Sequence, residues 1–250
     1  MSNNYELDII DKETAIKIAT AFFNEVRSAK NAMEVIKQFG ENSKKYSEVM
    51  NYSPAYYFVV YNALISEVMM IISKIYDDSK NSVNLGNFIS TCQRNIELFP
   101  KEKVHTYPPE NVGSGDGSIN TLSEEERTFH FDLKTEEKIV GYMKKFKSMK
   151  KPLKNLKIQR NKLYAHHDLN VILKIDDIIK SNPLNIKEIE LMIDLALDFS
   201  QFVIASLTTK YTLPLYSNIN DWSLTLFMAE YGRKKHEEEL QAKLEDEKHE

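Results

Sequence analysis

One polar stretch in the second half of the chain carries the groups best suited to chemistry. It contains an arginine, an amide, two histidines and an acid: Arg160, Asn161, His166, His167 and Asp168. A guanidinium binds phosphate through a fork of parallel hydrogen bonds, and an imidazole exchanges protons near neutral pH. Together with a carboxylate, these are the groups expected at a site that handles a phosphodiester.

The spacing of these groups leaves their geometry open. On an ideal α-helix Arg160 and His167 lie about 20° apart, whereas His166 lies about 120° from Arg160 and roughly 9 Å along the axis. One straight helix therefore cannot place Arg160 and His166 on the same phosphate. Either His167 is the partner of the arginine, or the helix ends near the histidines, or two copies of the motif share one site.

At these residues the chain resembles the HEPN superfamily. That superfamily is marked by an arginine, four to six intervening residues and a histidine on a late helix of a helical bundle. Arg160 and His166 fit with five intervening residues, and His167 fits with six. The ending Ala165-His166-His167-Asp168 is most similar to the abortive-infection AbiU branch.

A second stretch carries the same resemblance. Ser66 to Asp77, ending in Ile75-Tyr76-Asp77, is similar to the second long helix of that branch, which tends to end in a basic residue, an apolar pair and an aspartate. Lys74 stands at the basic position. In outline the resemblance covers roughly residues 12 to 210.

The resemblance implies an all-α, HEPN-like helical bundle and a metal-independent endoribonuclease without a cofactor. His166 would act as base or acid, and Arg160 would hold the charge of the phosphorane. Four further residues would support or replace them: Asn161, Tyr164, His167 and Asp168. The adjacent histidines also suggest a metal, but no third ligand with a recognised spacing is near, so no metal site is predicted.

A structural interpretation of the motif is the alternative: Arg160 pairs with Asp77 or Asp78, and the two histidines lie at a helix end, where the helix dipole favours them. The resemblance itself also leaves other functions open. Some relatives are noncatalytic and use the bundle to bind RNA or nucleotides, or act as partners in a toxin–antitoxin pair. In the family two motifs commonly face each other across a homodimer, and such a dimer would resolve the geometric problem. We therefore expect a homodimer, an RNA substrate and a toxin or effector role in phage defence, with an antitoxin or another defence protein as a further partner.

Composition bounds the fold and the compartment. The chain has 250 residues, of which 42% are hydrophobic, and this suits one large domain spanning 1–250. Glycine and proline are scarce, with 7 of each, and the charged residues follow helical periodicities, so a mostly α protein is predicted. A single cysteine, the lack of a signal-like start and the lack of a long apolar run predict a soluble, cytoplasmic protein away from membranes.

The net charge of −4 does not suggest nucleic acid, but its distribution does. Between Lys144 and Lys162 the chain carries eight lysines and Arg160 without one acid. A solvated helix face is the alternative interpretation of such a segment. Because it leads into the motif, we predict an RNA-binding surface that includes Lys154, Lys157 and Lys162.

Hydrophobic spacing and capping residues predict the positions of the helices. A first helix begins at Asp11 and stops at Gly40, and a second runs from Ala55 to Asp78 and is apolar over more than one face, typical of a central or interface helix. Asn185 and Glu188 form a cap pair that predicts the start of a long buried helix. The motif helix is expected to begin after a break at Pro152. We interpret 100–122, rich in proline and glycine, as a long irregular loop, and 234–250 as a charged tail that extends the last helix.

Overall fold

The computed structural model describes residues 10–79, 82–106, 128–132, 134–164, 175–208 and 218–249. Regular structure in these residues is almost entirely helical, which confirms the all-α fold class. The α-helices are α1 (Lys12–Asn42), α2 (Ser47–Tyr52), α3 (Pro54–Ile75), α4 (Leu85–Arg94), α5 (Thr135–Ser148), α6 (Lys150–Gln159), α7 (Ile175–Ser181), α8 (Ile186–Leu207) and α9 (Trp222–His249). A 3-10 turn covers Ile96–Leu98, and a π-helical turn, Arg160–Tyr164, follows α6 directly.

The core lies where α1 packs against α8 and α3. Apolar residues recur along α1 at three- and four-residue steps, so one face of the helix is buried over its whole length. Its buried side chains include Phe22, Phe23 and Phe39, and Phe22 meets Phe88 of α4 edge to face at 5.8 Å between ring centroids. This packing fixes α3, whose C-terminal end contacts the motif segment.

The helix starts predicted from capping residues are confirmed. The side chain of Asp11 accepts a hydrogen bond from the Thr14 amide at 2.7 Å at the start of α1. At the start of α8, Asn185 and Glu188 form a reciprocal capping box, with bonds of 2.9 and 3.0 Å. The predicted stop at Gly40 is two residues early, because α1 continues to Asn42.

The break before the motif helix lies three residues earlier than predicted. It falls at Met149, between α5 and α6, whereas Pro152 lies inside the first turn of α6. Amides of a first helical turn have no intrahelical acceptor, so a proline there removes no hydrogen bond. The backbone amide of Leu153, the next residue, donates to the Met149 carbonyl at 2.9 Å, and the regular helical hydrogen bonds of α6 begin there.

The interpretation of 100–122 as an irregular loop is wrong for five of its residues. Strand β1 (Glu102–Thr106) pairs in antiparallel register with β2 (Thr128–Asp132), so that Val104 lies opposite His130. Because the two paired strands lie far apart in the chain, no local pattern of hydrophobic residues predicts their pairing. The rest of that loop, 107–122, lies outside the described residues.

The last helix, α9, is long and extends beyond the bundle, as expected from the charged tail. Trp222 and Leu226 at its start pack near Tyr46 and Val49 of the α2 region. Arg233 then pairs with Glu48 of α2 and with Glu237, each at 2.7 Å. After this anchor every residue of α9 from 234 to 245 is exposed, including Leu240 and Leu244.

The outward side of α3 is apolar and uncovered in this chain. Tyr56, Val59 and Met70 are each more than half exposed, although the inner face of α3 is buried against α1. By length and composition alone, α3 could cross a membrane: its apolar window has a mean hydropathy of 1.6 and is 28% buried. The sequence had not led us to expect such a helix. Bundle helices of soluble proteins meet the same criterion, and α3 packs along α1 as a bundle helix does.

Candidate active site around Arg160

Arg160 lies at the junction between α6 and the π-helical turn that follows it. In a π turn the backbone bonds run from i to i+5, so the phase of 100° per residue no longer holds beyond Gln159. The angles calculated for a straight helix therefore do not apply along Arg160–Tyr164, whereas the histidines lie outside the described residues. Wide turns of this kind often occur at functional sites, because they turn side chains away from the regular helical phase.

Two buried amides fix α6 in the bundle. Asn155 donates to the Pro183 carbonyl at 2.8 Å, and Gln159 donates to the Asn182 carbonyl at 2.6 Å. Both residues are more than nine-tenths buried and lie one helical turn apart on the same face. They tie the helix that carries Arg160 to the segment before α8. Sequence reasoning missed them, although two amides four residues apart were the available signal.

The guanidinium of Arg160 is held by two residues. Nη1 pairs with Asp77 Oδ1 at 2.9 Å, and Nε donates to Asn161 Oδ1 at 2.9 Å. The side chains of Arg160 and Asp77 keep 26% and 24% of their surface exposed, so the pair lies at the edge of the bundle. Within the described residues Nη2 has no acceptor. The two partners therefore orient the guanidinium of Arg160, and its remaining N–H donors are available to an anion.

Arg160 stabilises the charged form of Asp77. Burial by itself would raise the pKa of its carboxyl, but the hydrogen bond and charge of Arg160, with two hydrogen bonds from Ser79, outweigh that effect and lower the pKa below its usual value. Asp77 and Arg160 come from the two stretches that carry the family resemblance. The structure thus brings the end of α3 and the motif helix together at one ion pair.

Tyr76 fixes the end of α3 and hence the position of Asp77. Its hydroxyl donates to the Met192 carbonyl of α8 at 2.7 Å, and its ring stacks on Phe146 of α5 at 6.1 Å between centroids. Burial raises the pKa of this phenol well above its ordinary value. Lys74, by contrast, turns away from the site and pairs with Glu25 of α1 at 2.6 Å.

The lysines predicted to bind RNA lie on the surface beside Arg160. Lys154 and Lys162 are exposed, and Lys157 is exposed but pairs with Asp78 at 2.5 Å. Lys144, Lys147, Lys150 and Lys151 are exposed on the preceding turns as well. The lysine side chains of the acid-free segment therefore face solvent, while other residues of the segment are buried. Asp78 compensates one of its charges.

The remaining motif residues lie outside the described part of the chain. These are His166, His167 and Asp168, together with the side chain of Tyr164, so their positions relative to Arg160 stay predictions. Among the residues that are described, no cluster of three His, Cys, Asp or Glu side chains could hold a metal ion.

Replacing Asp77 with asparagine tests the ion pair. At pH 7 we expect the free energy of unfolding to fall by about 0.5–1 kcal/mol, a range set by the partial exposure of both side chains. A carboxyl with a lowered folded pKa stabilises above its unfolded pKa of about 3.9 and loses that contribution as pH falls through the lower folded value. The difference between wild type and Asp77→Asn in urea unfolding should therefore be smaller at about pH 3 than at pH 7.

Asp78→Asn is the matched control for that substitution. It removes a neighbouring ion pair in which both side chains are more than half exposed, so its effect should stay below about 0.5 kcal/mol. An Asp77→Asn effect of equal size at both pH values would mean that Asp77 acts through packing and not through its charge.

Comparison with known families gives one match. The family model HEPN_AbiU2, described as AbiU2, matches residues 12–224, which include the whole bundle, Asp77 and the motif from Arg160 to Asp168. No curated protein matches this chain. No solved structure matches it either.

Proposed function

Because this chain belongs to the AbiU2 family of HEPN domains, an abortive-infection group, we propose that it is a metal-independent endoribonuclease that acts as a toxin or effector in phage defence. Arg160 binds the scissile phosphate and His166 transfers a proton. The observation that carries this proposal is the Arg160–Asp77 pair: it orients a guanidinium at the bundle edge and leaves donors available beside a lysine-rich surface.

The proposed reaction uses the RNA's own 2′-hydroxyl. That oxygen attacks the adjacent phosphorus as a base removes its proton, the bond from phosphorus to the 5′-oxygen breaks, and an acid protonates the leaving oxygen. The products are a 2′,3′-cyclic phosphate and a 5′-hydroxyl, so the step balances without water, an oxidant or an ion. His166 serves as base or acid, and Arg160 holds the negative charge of the phosphorane. DNA lacks the nucleophile and is not cleaved.

The supporting residues have narrower roles. Asn161 accepts from Arg160 Nε and so positions the guanidinium. His167 supplies the second proton-transfer group or replaces His166, and Asp168 fixes the tautomer of a neighbouring imidazole. Lys154, Lys157 and Lys162 attract the RNA backbone, which supplies affinity without sequence preference. The exposure of these lysines supports that role.

We propose that two copies of the chain pair through the outward side of α3. Tyr56, Val59, Ala63, Ser66 and Met70 follow one another at alternating steps of three and four residues, and all five are exposed. This is the spacing of a two-helix seam, and the small residues in its middle allow two backbones to approach closely. A second copy of this chain would cover the apolar surface that is left open.

The direction of the two helices decides whether the motifs meet. α3 has 22 residues and is therefore about 33 Å long, so fully antiparallel α3 helices would place the two Asp77–Arg160 pairs up to about that distance apart. Parallel helices at an interaxial distance of about 8–10 Å bring both pairs to the same end of the dimer. We infer the parallel arrangement, because it lets each copy lend one group to a shared site.

The direct test is incubation of the purified full-length chain with total RNA in the presence of EDTA. We expect cleavage, with products that carry cyclic phosphate and 5′-hydroxyl ends, and no cleavage of an oligonucleotide whose scissile position is 2′-deoxy. Activity that disappears in EDTA, or products with 3′-hydroxyl ends, would overturn the mechanism.

A second function is favoured by one specific observation. The pairing of Arg160 with Asp77 inside one subunit is also what a purely structural arginine would do. A noncatalytic HEPN module that binds RNA or nucleotides, or that serves as the partner in a toxin–antitoxin pair, would keep this contact. Binding of RNA without cleavage in the same assay would favour that module over the enzyme.

A further inference from the structure

A pocket lies on the face of α6 next to the one that carries Arg160. It has a volume of about 230 Å³ and is enclosed by α1, α3, α6 and the start of α8. Its walls include Met33 of α1, Ile65 and Met69 of α3, and Ile189 of α8. Pockets for drug-sized ligands measure roughly 300–1,000 Å³, so this one suits a single ring system.

One buried amide gives the pocket polarity. Gln159 lines it and is only 8% exposed. Its Nε2 donates to the Asn182 carbonyl at 2.6 Å, which fixes the orientation of the amide and leaves Oε1 as the acceptor. This oxygen belongs to a residue of the pocket wall, so it can accept a hydrogen bond from a ligand that offers an N–H group.

We propose that this pocket binds one nucleobase of the nucleotide whose phosphate lies at Arg160. Gln159 and Arg160 are consecutive, so their side chains leave adjacent positions of the backbone and can serve neighbouring parts of one ligand. Aliphatic walls and the ring of Tyr61 contact the flat faces of the base. Gln159 Oε1 accepts from an N–H group on its Watson–Crick edge, which each of the four bases offers.

The placement of the phosphate rests on the proposed function, whereas binding of the base does not. The base could come from an RNA strand or from a free nucleotide, and the chemistry of recognition is the same. Affinity therefore has to be measured for both sources, separately from cleavage.

The first measurement uses calorimetric titration of the full-length chain with AMP, GMP, CMP, UMP and ribose 5-phosphate, which lacks a base. We expect at least one mononucleotide to bind about tenfold or more tightly than ribose 5-phosphate. Ile65→Phe fills the pocket and should remove that advantage, whereas Ile65→Leu, which conserves the volume, should keep it. Thermal unfolding checks that both variants fold.

Gln159→Leu is the second variant and keeps the test decisive if Ile65→Phe does not fold. It removes the acceptor and should reduce the advantage of the preferred base by about tenfold. Equal binding of mononucleotides and ribose 5-phosphate would overturn the proposal. So would a base advantage that survives in both Ile65→Phe and Gln159→Leu.

Short homopolymeric oligoribonucleotides distinguish the two sources of the base. Tighter binding of an oligomer than of its mononucleotide assigns the pocket to a strand, and the reverse assigns it to a free nucleotide. Base binding without RNA cleavage would refute the proposed nuclease activity but not the proposed base-binding pocket. Cleavage with the same base preference in wild type and Ile65→Phe would refute the base-binding pocket but not the nuclease activity.

Discussion

Arg160→Ala should lower the rate of RNA cleavage by about 10²–10³, and His166→Ala by about 10²–10⁴. The first substitution removes the positive charge that stabilises the phosphorane, and the second removes the group that moves the proton. Both effects belong to the chemical step, so they should appear under single-turnover conditions with RNA in excess of its dissociation constant. Cleavage of a defined oligoribonucleotide, followed by gel electrophoresis, measures them.

Controls separate the lost charge from lost stability. Arg160→Ala also breaks the ion pair with Asp77, and Asp77→Asn breaks the same pair while leaving the guanidinium in place. If the ion pair alone mattered, both variants would lose the same activity. We expect Asp77→Asn to keep far more activity than Arg160→Ala. Arg160→Lys retains a charge but lacks the fork, and should fall between wild type and alanine.

His167→Ala decides which histidine transfers the proton. If His166 is the base or acid, His167→Ala should reduce cleavage much less than His166→Ala does.

Lys187→Ala, at an exposed lysine of α8 outside the basic segment, serves as a control for nonspecific loss of RNA binding. Wild-type rates in both Arg160→Ala and His166→Ala would rule out the proposed site.

Ala63→Glu should convert a dimer into a monomer and abolish cleavage with it. Ala63 lies in the middle of the exposed α3 seam, and in a paired helix a glutamate there would bury two like charges against each other. In the monomer the position is exposed and glutamate is a good helix former, so the fold should be unaffected. Analytical ultracentrifugation measures the mass, and circular dichroism measures the helix content.

Ala21→Glu is the matched control, because it makes the same chemical change at an exposed position of α1. It should leave both mass and activity unchanged. A wild-type chain that is monomeric without detergent but active, or an Ala63→Glu chain that stays dimeric, would refute the α3 seam.

Mixing two inactive variants shows whether the site is shared between copies. If each site takes its arginine from one copy and its histidine from the other, a heterodimer of Arg160→Ala and His166→Ala chains holds one intact site. An equal mixture should then recover roughly a quarter of wild-type activity, since half of the randomly paired dimers are mixed and each has one working site of two. Sites formed within one chain would recover none.

The sequence by itself determined the helical scaffold and the type of chemistry. Periodic apolar residues placed most helices, and local capping signals such as Asp11 and Asn185 placed their starts, because such contacts span only a few residues. The motif at Arg160 and the ending Tyr76-Asp77 led to the family that the match over 12–224 confirms. Helix ends were less accurate, as the break at Met149 instead of Pro152 illustrates.

Only the tertiary structure decided how the pieces meet. The Arg160–Asp77 pair, the bond from Tyr76 to Met192 and the β1–β2 pairing join residues far apart in the chain, and no local pattern encodes such contacts. The structure also decided that the outward side of α3 is exposed, because the sequence does not show whether an apolar side chain is buried or exposed. The π turn at Arg160 was also not predicted from the sequence, and it changes the geometry that a straight helix would give along Arg160–Tyr164.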